Sequence, residues 1–481
     1  MTFHVSLVGR HNLSNEIYQQ LRAAIQEGRL EPGARLPPSR ELAESLSVAR
    51  MTVTVAYERL AGDGYVEARV GSGTFVRADL RFVRDRRRRP TATAPRVRRM
   101  WRVLADTAAV KDPVTAEMPR FDFRAGFVDA ELFPHHVWRR LLLRDFEDSK
   151  DHAGAYAAPG GSPRLREAIA RHLAVTRAVQ ATAENIIVTD GTQQSLDLLA
   201  RALAGPRDRV AVESPGYSLA RLLFRSHGLR VTGVPVDDEG IVVTGIPSDA
   251  RLVYVTPSHQ FPMGTTMSLP RRIALSEWAR KNHGAIIEDD YDSEFQFGGR
   301  PIEPLQSLNV EHVIYVGSFS KVTLPTVRLG FMVTPPSLTE AVTVAKFVSN
   351  WHTSLQLQGA MARFLDEGHF GRHVRRVRAS YRERRALILA TLVRDFPEFR
   401  VIPSNIGLHV SAVTRIGEPV LRRAVARARS AGVGIHALSR YSVPKEHTRK
   451  GLVVGYGAIH LDRIEEGLAI VRRCLDQEVG G

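Results

Sequence analysis

A lysine that follows two serines and precedes an arginine is the part of this sequence best suited to reactive chemistry. Ser318, Ser320 and Lys321 come directly after the short apolar run 313–316, and Arg328 lies seven residues past the lysine. An activated lysine amine can form an imine with an aldehyde, and hydroxyl and guanidinium groups can bind a phosphate. These residue types predict a site for a phosphorylated aldehyde where a buried strand ends.

Five short apolar runs in the larger part of the chain predict the strands that position this site. The runs alternate with helical patterns, which is typical of an α/β fold. In such sheets ligands bind beyond the carboxyl ends of the strands, so the loops that follow the runs are expected to meet. The predicted strands are 186–189, 210–213, 252–255, 285–287 and 313–316.

The loops after the first three runs contain groups that suit a flat, phosphorylated ring. Thr192 and Gln193 open a helix, where backbone N–H groups and the threonine hydroxyl can hold a phosphate. Taken alone, this loop is more typical of a plain capped helix. Tyr217 can stack on a ring, although a tyrosine at such a place can equally be a core or surface residue. His259 and Gln260 lie in a tight turn after the third run.

The loop after the fourth run supplies an acid and a phenol. Asp289 can keep a pyridine nitrogen protonated, and the hydroxyl of Tyr291 can bond a neighbouring phenolate. A phosphate site, a stacking ring, an acid, a phenol and an imine-forming lysine together describe pyridoxal 5′-phosphate, whose cationic ring acts as an electron sink. The sequence therefore predicts this cofactor, bound to Lys321.

Charge and composition restrict the class of protein to which this chain can belong. The chain has 481 residues, a net charge of +16 and an ordinary hydrophobic content of 43 %. It contains no apolar run of transmembrane length, and its first residues lack the apolar stretch of a signal peptide. One cysteine, Cys474, rules out an internal disulfide, and no metal site is expected. A cytoplasmic protein that meets a polyanion is the expectation.

Nearly half of the net positive charge, +7 of +16, lies in one segment. Residues 78–120 contain 12 basic and 5 acidic side chains and show little apolar periodicity. The segment is predicted to be a linker between a domain at 12–77 and a larger domain at 121–481. A solvated tether and a nucleic-acid contact are both compatible with this charge.

The pattern of the N-terminal domain predicts three short helices followed by a β-hairpin. This arrangement is an α+β winged helix-turn-helix. Ser14 and Ser39 are expected to cap the first two helices, and Gly64 to end the third. The third helix of this motif enters the major groove of DNA. The residues expected to contact DNA are Arg50, Thr52, Thr54 and Tyr57 of the third helix, Arg40 of the second, and Gly71 and Gly73 of the hairpin.

The N-terminal pattern resembles the DNA-binding domain of the GntR family of bacterial regulators. The segments GRLEPGARLP, LPPSRELAESLSVAR and YERLAGDGYVEARVGSGTFV all fit that family. The resemblance implies that residues 12–77 bind double-stranded operator DNA. Met51 stands where a polar residue is common, which leaves the base preference open.

The larger part resembles fold type I aminotransferases, and the whole chain resembles the MocR subfamily of GntR regulators. The resemblance implies a large domain with a mostly parallel sheet, a small C-terminal α+β domain, and a homodimer paired head to tail with exchanged DNA domains. The motifs that carry it are FDFRAGFVDAELFP, YAAPGGSPRLREAIARHL, VTDGTQQSLDLLAR, ESPGYSLAR, VTPSHQFPMGTTMSLPRR, IIEDDYDSEFQF and GSFSKVTLPTVRLGF.

The same resemblance implies a role for each site residue. Lys321 would form the internal aldimine, Asp289 (or its neighbour Asp290) would bond the pyridine nitrogen, and Tyr291 would bond the ring O3′. Tyr217 would stack on the ring, and Tyr156 would reach the phosphate of the partner subunit. The phosphate would be held by Thr192, Gln193, Ser318, Ser320 and Arg328.

The sequence departs from ordinary aminotransferases at two places. The usual Asn-Pro-x-Gly is here Phe261-Pro262-Met263-Gly264, so His259 or Gln260 is expected to replace the asparagine. The C-terminal strand that usually carries an arginine for the substrate carboxylate, 451–456, contains none, although Arg449 and Lys450 precede it. These changes favour a sensor over an enzyme with ordinary turnover.

The sequence as a whole therefore predicts a bacterial, cytoplasmic and nucleoid-associated transcriptional regulator. It would sense pyridoxal 5′-phosphate itself, or a small amine or amino acid that exchanges at Lys321. At most weak transamination or a half-reaction is expected. The alternatives are an active aminotransferase with an accessory DNA-binding domain, and a DNA-binding protein whose second domain is an inactive scaffold.

Overall fold

The computed structural model divides the chain into two compact units, Met1–Val97 and Arg98–Gly481. It describes residues 5, 7, 12–80, 97–107, 110, 118–149, 154–299, 303–443 and 449–479. Most of the predicted linker 78–120 lies outside these residues, and its described part includes one short helix.

The first unit is a winged helix-turn-helix, as the sequence predicts. It consists of α1 (Leu13–Gln26), α2 (Ser39–Leu46), α3 (Arg50–Gly62), β1 (Val66–Arg69) and β2 (Gly73–Val76). The two strands pair antiparallel, and the helices pack around a core that includes Ile17, Leu21, Val53 and Leu60. The 3.6-residue spacing of the apolar positions produces this core, since it puts them on one face of each helix.

The predicted caps are wrong. Ser14 lies inside α1, which begins one residue earlier, and Ser39 is the first residue of α2 and makes no capping hydrogen bond. Gly64 does adopt a left-handed conformation just after α3, with a φ of 76°. A side chain at this φ would be strained, so glycine favours the end of the helix here.

In the described residues the second unit has an α/β architecture with three sheets, of eight, four and two strands. Its helices are α4 (Arg99–Ala105), α5 (His135–Ser149), α6 (Pro163–Thr176), α7 (Thr192–Leu203), α8 (Ser218–Ser226), α9 (Leu269–Asn282), α10 (Leu305–Leu308), α11 (Pro336–Asn350), α12 (Leu355–Asp366), α13 (His369–Asp395), α14 (Glu418–Ser430) and α15 (Ile464–Val479). Its strands are β3 (Phe121–Asp122), β4 (Ile186–Thr189), β5 (Arg209–Ser214), β6 (Arg230–Asp237), β7 (Gly240–Ile241), β8 (Ala250–Val255), β9 (Ala285–Asp290), β10 (Val313–Ser318), β11 (Gly330–Val333), β12 (Phe399–Val401), β13 (His409–Thr414), β14 (Val433–Gly434), β15 (His436–Ala437) and β16 (Gly451–Gly455).

The large sheet has eight strands in the order β4-β11-β10-β9-β8-β5-β6-β7. Strands β10, β9, β8, β5 and β6 pair parallel, and β4 runs the same way because β11 is antiparallel to both of its neighbours. The carboxyl ends of the five predicted strands therefore lie along one edge. Alternate side chains enter different cores, as Val212 and Ala211 do in β5.

A smaller antiparallel sheet, β12-β13-β16-β15, completes the unit together with α14 and α15. This is the small α+β part that the sequence predicts. The two-stranded sheet is formed by the parallel pair β3 and β14. All three central residues of β16, Leu452, Val453 and Val454, are buried in apolar cores. None of the helices in the described ranges is both long and apolar enough to cross a membrane.

Candidate cofactor site

The loops at the carboxyl edge of the large sheet enclose a cavity of about 340 Å³, called here the central cavity. All the cofactor-site residues predicted from the sequence line it, except Tyr156 and His259. The cavity is lined by Ala125, Gly126, Phe127, Thr192, Gln193, Tyr217, Leu219, Tyr254, Thr256, Phe261, Asp289, Tyr291, Ser318, Ser320, Lys321, Pro325 and Arg328.

Lys321 follows β10 and its amine reaches into the central cavity. Nζ donates to the carbonyl oxygen of Gly126 at 2.5 Å. Burial lowers the pKa of Lys321, while the carboxylates of Asp292 and Asp289 oppose this shift. A lowered pKa raises the fraction of neutral amine, which is the nucleophilic form.

Gly126 is a site residue that the sequence did not single out. Its φ is 92°, and a Cβ there would lie 3.4 Å from Lys321 Nζ. A side chain at this position would be strained and would crowd the amine. The glycine in the motif FDFRAGF was the available signal, but a glycine by itself does not indicate what its backbone approaches.

The neighbours Asp289 and Asp290 point to opposite faces of β9, because side chains alternate along a strand. Asp290 accepts hydrogen bonds from Arg177 at 2.6 Å and from Tyr315 at 2.6 Å, away from the cavity. Asp289 faces the cavity and accepts from the hydroxyl of Tyr254 at 2.6 Å. The geometry thus separates the two acids that the sequence left as alternatives.

Asp289 keeps one oxygen for a ligand. Its Oδ1 is buried and has no hydrogen-bond partner. Burial raises the pKa of Asp289 to about 7, with a smaller contribution from Asp290, and the hydrogen bond from Tyr254 opposes the rise. An unpaired buried carboxyl oxygen is costly, so the site suits a cationic N–H donor at this point. Tyr254 itself was missed, since it lies inside an apolar run.

The predicted phosphate ligands converge at the start of α7, and we call them the phosphate seat. Gly191, whose φ is 91°, turns the chain into the helix, and a Cβ there would lie 3.3 Å from the guanidinium of Arg328. Arg328 Nη2 donates to the carbonyl oxygen of Asp190 at 2.6 Å, which fixes the guanidinium against this turn. The phosphate seat consists of Thr192, Gln193, Ser318, Ser320 and Arg328.

Two tyrosines in the cavity wall each make an edge contact with the ring of Phe261. The ring of Tyr217 is 6.1 Å from Phe261 and its hydroxyl accepts from Gln193 at 3.1 Å. The hydroxyl of Tyr291 lies 3.0 Å from both the carbonyl oxygen and Nδ1 of His259. Burial raises the pKa of both phenols, so both remain protonated at neutral pH.

The residues offered as replacements for the missing asparagine do not face the cavity. His259 is buried behind Tyr291, where Nδ1 is 3.0 Å from the carboxylate of Asp292. Gln260 is buried too, and its amide bonds Glu213 and the backbone of its own turn. Phe261 lines the cavity in their place, because the tight turn directs the side chains of His259 and Gln260 into the protein interior, away from the cavity. His259 therefore supports Tyr291 and does not line the cavity.

Two further groups lie beside the site. Tyr156 is 75 % exposed and stacks on Trp351 with ring centroids 4.3 Å apart, so within one chain it does not reach the cavity. His259, Asp292 and His409 are buried, and their ligand-type atoms lie within 4.8 Å of one another. Hydrogen bonds already engage part of this cluster: His409 Nε2 donates to the carbonyl oxygen of Pro262, and His259 Nδ1 bonds Asp292, while His259 Nε2 is buried without a partner among the described residues.

The predicted DNA contacts form a surface at the start of α3 and at the hairpin. Arg50 is exposed and donates to Ser39 Oγ at 3.3 Å, and Arg40 is exposed beside Glu44. Thr52 and Thr54 are partly exposed on the same helix. In the hairpin Gly71 and Gly73 are exposed with left-handed φ values.

Tyr57 does not belong to this surface, which corrects the sequence prediction. It is 7 % exposed, and its hydroxyl donates to the carbonyl oxygen of Pro37 at 2.8 Å. Burial raises its pKa. The helical period explains the difference: Val53, Ala56 and Tyr57 lie on the inner face of α3. Met51, at the start of α3, is by contrast 69 % exposed.

Comparison with known proteins agrees with both units. The family of bacterial regulatory proteins named gntR matches residues 13–76, and the family of class I and II aminotransferases matches residues 128–420. The solved structure of the α-aminoadipate aminotransferase LysN from Thermus thermophilus, complexed with N-(5′-phosphopyridoxyl)-L-leucine, is similar with a TM-score of 0.68 and 27 % identity. The match covers 75 % of this chain and 93 % of that chain.

Two curated relatives span both units. The probable rhizopine catabolism regulatory protein MocR of Rhizobium meliloti is 36 % identical, over 96 % of this chain and 93 % of that protein. The pyridoxine biosynthesis transcriptional regulator PdxR of Corynebacterium glutamicum is 32 % identical, over 95 % of each. Together with the winged helix and the aminotransferase fold, these matches show that the chain belongs to the MocR subfamily of GntR-type transcriptional regulators.

Proposed function

We propose that this protein is a transcriptional regulator that binds pyridoxal 5′-phosphate at Lys321 and responds to the cofactor or to a small amine. The observation that carries the proposal is the unpartnered Oδ1 of Asp289 in a cavity that also presents an amine and a phosphate seat. When bound, the cofactor supplies an aldehyde that amines attack and a ring that withdraws electrons.

The residues of the chain fit that cofactor group by group. Asp289 Oδ1 can accept from the pyridinium N–H, and the cationic ring would favour the ionised carboxylate. Tyr291 can turn its hydroxyl from the carbonyl oxygen of His259 towards the ring O3′. Tyr217 provides an aromatic face, and the phosphate seat offers a helix N-terminus, two hydroxyls and a guanidinium.

The wall of the cavity supports a sensing role over ordinary amino-acid turnover. Apart from Lys321, Arg328 is the cation among the described lining residues, and it belongs to the phosphate seat. The strand where aminotransferases usually carry a carboxylate-binding arginine is β16, whose central residues are buried in the core. The two relatives are named for different processes, rhizopine catabolism and pyridoxine biosynthesis, so their names do not point to one effector.

We further propose that the regulator is a homodimer in which a second copy covers the outer face of α11. Val344, Phe347, Val348 and Trp351 expose between 39 % and 73 % of their surface there, and Trp351 stacks on the exposed Tyr156. A cluster of exposed apolar side chains of this kind marks an interaction surface. A dimer would also supply the two recognition helices that a two-fold operator requires.

The test measures operator binding and cofactor attachment in the same proteins. Borohydride reduction followed by peptide mass spectrometry should place the mass of the reduced cofactor on Lys321 in the wild type and nowhere in Lys321→Ala. Operator affinity should change when PLP, or PLP with a member of an amine panel, is added to the wild type, and should not change for Lys321→Ala. Equal affinities under all conditions would refute the coupling, and steady transamination near 1–1000 per second would instead favour an enzyme.

A further inference from the structure

We propose that Lys346 is a positioning residue of the phosphate seat: its buried ammonium fixes the first turn of α7 and supplies positive charge that a bound phosphate offsets. The inference rests on the proposed function. It adds a residue that lies outside the central cavity and that no motif in the sequence points to.

Lys346 lies on the inner face of α11 and is fully buried, with 0 % of its surface exposed. Its Nζ donates to three neutral acceptors, Gln194 Oε1 at 3.3 Å, Asn350 Oδ1 at 3.1 Å and Thr353 Oγ1 at 3.3 Å. An ammonium has three protons to donate, so the three acceptors satisfy it completely. This arrangement is built to hold a charged lysine in place.

The charge of Lys346 is not neutralised by a bonded acid. Among the described residues, no carboxylate lies within ion-pair distance of Nζ, and the nearest acid that acts on it is Asp190. Burial lowers the pKa of Lys346, and Asp190 opposes this. A buried charge normally needs a partner; Asp190 compensates it in part without direct contact, and an anion bound in the phosphate seat would add to this compensation.

Hydrogen bonds connect Lys346 to the phosphate seat through one residue, Asp190. Gln194 Oε1, which accepts from Lys346, also accepts the backbone N–H of Asp190 at 2.8 Å. Asn350, the second acceptor, donates its Nδ2 to Asp190 Oδ2 at 2.8 Å. The carbonyl oxygen of Asp190 in turn accepts from Arg328. Lys346 thereby stabilises the loop at Asp190, which positions both the N-terminus of α7 and the guanidinium of Arg328.

Removing this ammonium should weaken binding of the phosphate and not of the ring. At an effective dielectric constant of about 20, a unit charge about 12 Å from a singly charged phosphate changes affinity by about tenfold, and a closer one by more. A defect in packing alone would affect phosphorylated and unphosphorylated ligands equally. The discriminating quantity is therefore the ratio of the dissociation constants for PLP and for pyridoxal, the same aldehyde without the phosphate.

The experiment compares the full-length wild type with Lys346→Met, with Thr353→Asp and with the control Lys281→Met. Thr353→Asp keeps the ammonium but pairs it with a carboxylate, so it neutralises the charge even if Lys346→Met fails to fold. Lys281 is exposed on α9 and matches the control substitution in chemistry. Dissociation constants for PLP and pyridoxal are measured by spectroscopic titration.

Both test variants should bind PLP about tenfold more weakly and pyridoxal within about twofold of the wild type, with Lys281→Met unchanged. In ³¹P NMR the phosphate of bound PLP, whose second pKa is about 6 when free, should titrate at higher pH in the variants than in the wild type. Equal losses for PLP and pyridoxal, or an unmoved ³¹P midpoint, would overturn the role of Lys346. A wild type that binds neither aldehyde would instead refute the proposed function.

Discussion

Replacing Asp289 with asparagine should stabilise the cofactor-free protein at neutral and higher pH while it weakens cofactor binding. Burial raises the pKa of Asp289 from 3.8 to about 7. The folded state therefore binds this proton more tightly than the unfolded state, so stability is present at low pH and is lost as the pH rises through 7. At 1.36 kcal/mol per pKa unit, the loss is about 4 kcal/mol between about pH 4 and pH 8.

Asparagine removes this loss because it stays neutral and its amide oxygen can still accept from Tyr254. Thermal unfolding is followed from pH 5 to pH 8 without PLP for the full-length wild type and Asp289→Asn. The melting temperature of the variant should exceed that of the wild type, and the difference should widen by roughly 5 °C over this pH range. Other buried acids whose pKa is raised to about 7 without a contribution from Asp289, such as Glu288 and Glu294, are present in both proteins and cancel in the comparison.

Asp290→Asn is the matched control, since it changes the next residue of the same strand. Asp290 pairs with the buried Arg177, so its loss should destabilise the protein at every pH by leaving a buried cation without its anion. Added PLP should reverse the first comparison, because the stabilisation by a ligand rises with the logarithm of its affinity and the wild type binds PLP more tightly. A gap between wild type and Asp289→Asn that does not vary with pH, or equal PLP affinity of the two, would refute the reasoning.

Three further outcomes are expected. Tyr57→Phe should lower the free energy of unfolding by about 1 kcal/mol, because it removes the hydrogen bond to Pro37, and should leave operator affinity unchanged in a fluorescence anisotropy titration. Arg50→Ala should weaken operator binding in the same titration. If the guanidinium contacts a phosphate, the salt dependence of binding should become less steep; if it contacts a guanine, about 1–3 kcal/mol of binding free energy and the preference at that base pair should be lost. Gly191→Ala should raise the PLP dissociation constant more than tenfold with a smaller change in melting temperature, since the new Cβ at positive φ crowds Arg328; an unchanged dissociation constant would contradict the assigned seat.

The sequence predicts the fold and most of the cavity wall because both depend on short-range patterns. The five apolar runs, such as 313–316, become strands of one sheet, and parallel strands bring their following loops to one edge. Lys321 and Arg328 come together for that reason. The sequence does not predict strands β6 and β11: β6 includes Gly233 and Pro235, and β11 begins inside the motif GSFSKVTLPTVRLGF, which is interpreted as the lysine site.

Side-chain direction is what the sequence leaves undetermined. Three acids in a row end β9, and their alternation decides that Asp289 faces the cavity while Glu288 binds the backbone N–H groups at the start of α10. The strand predicted from the sequence ends at residue 287, so the alternation does not extend to the three acids. Tyr57 was misassigned for a related reason: polar atoms on an aromatic ring do not indicate whether the ring is inside or outside.

The separate core of the first unit has a consequence for the order of events during synthesis. Among the described residues, that core is formed by side chains no later than Leu80, so the DNA-binding unit can fold while the rest of the chain is still being made. At ordinary rates of synthesis the remaining part takes roughly 20–80 s. In the proposed dimer the surface that joins the two subunits belongs to the second unit, so an unfinished chain has only one DNA-binding unit. High-affinity operator binding, which needs two linked DNA-binding units, is therefore possible in this dimer only after the cofactor-binding unit has been synthesised and has folded.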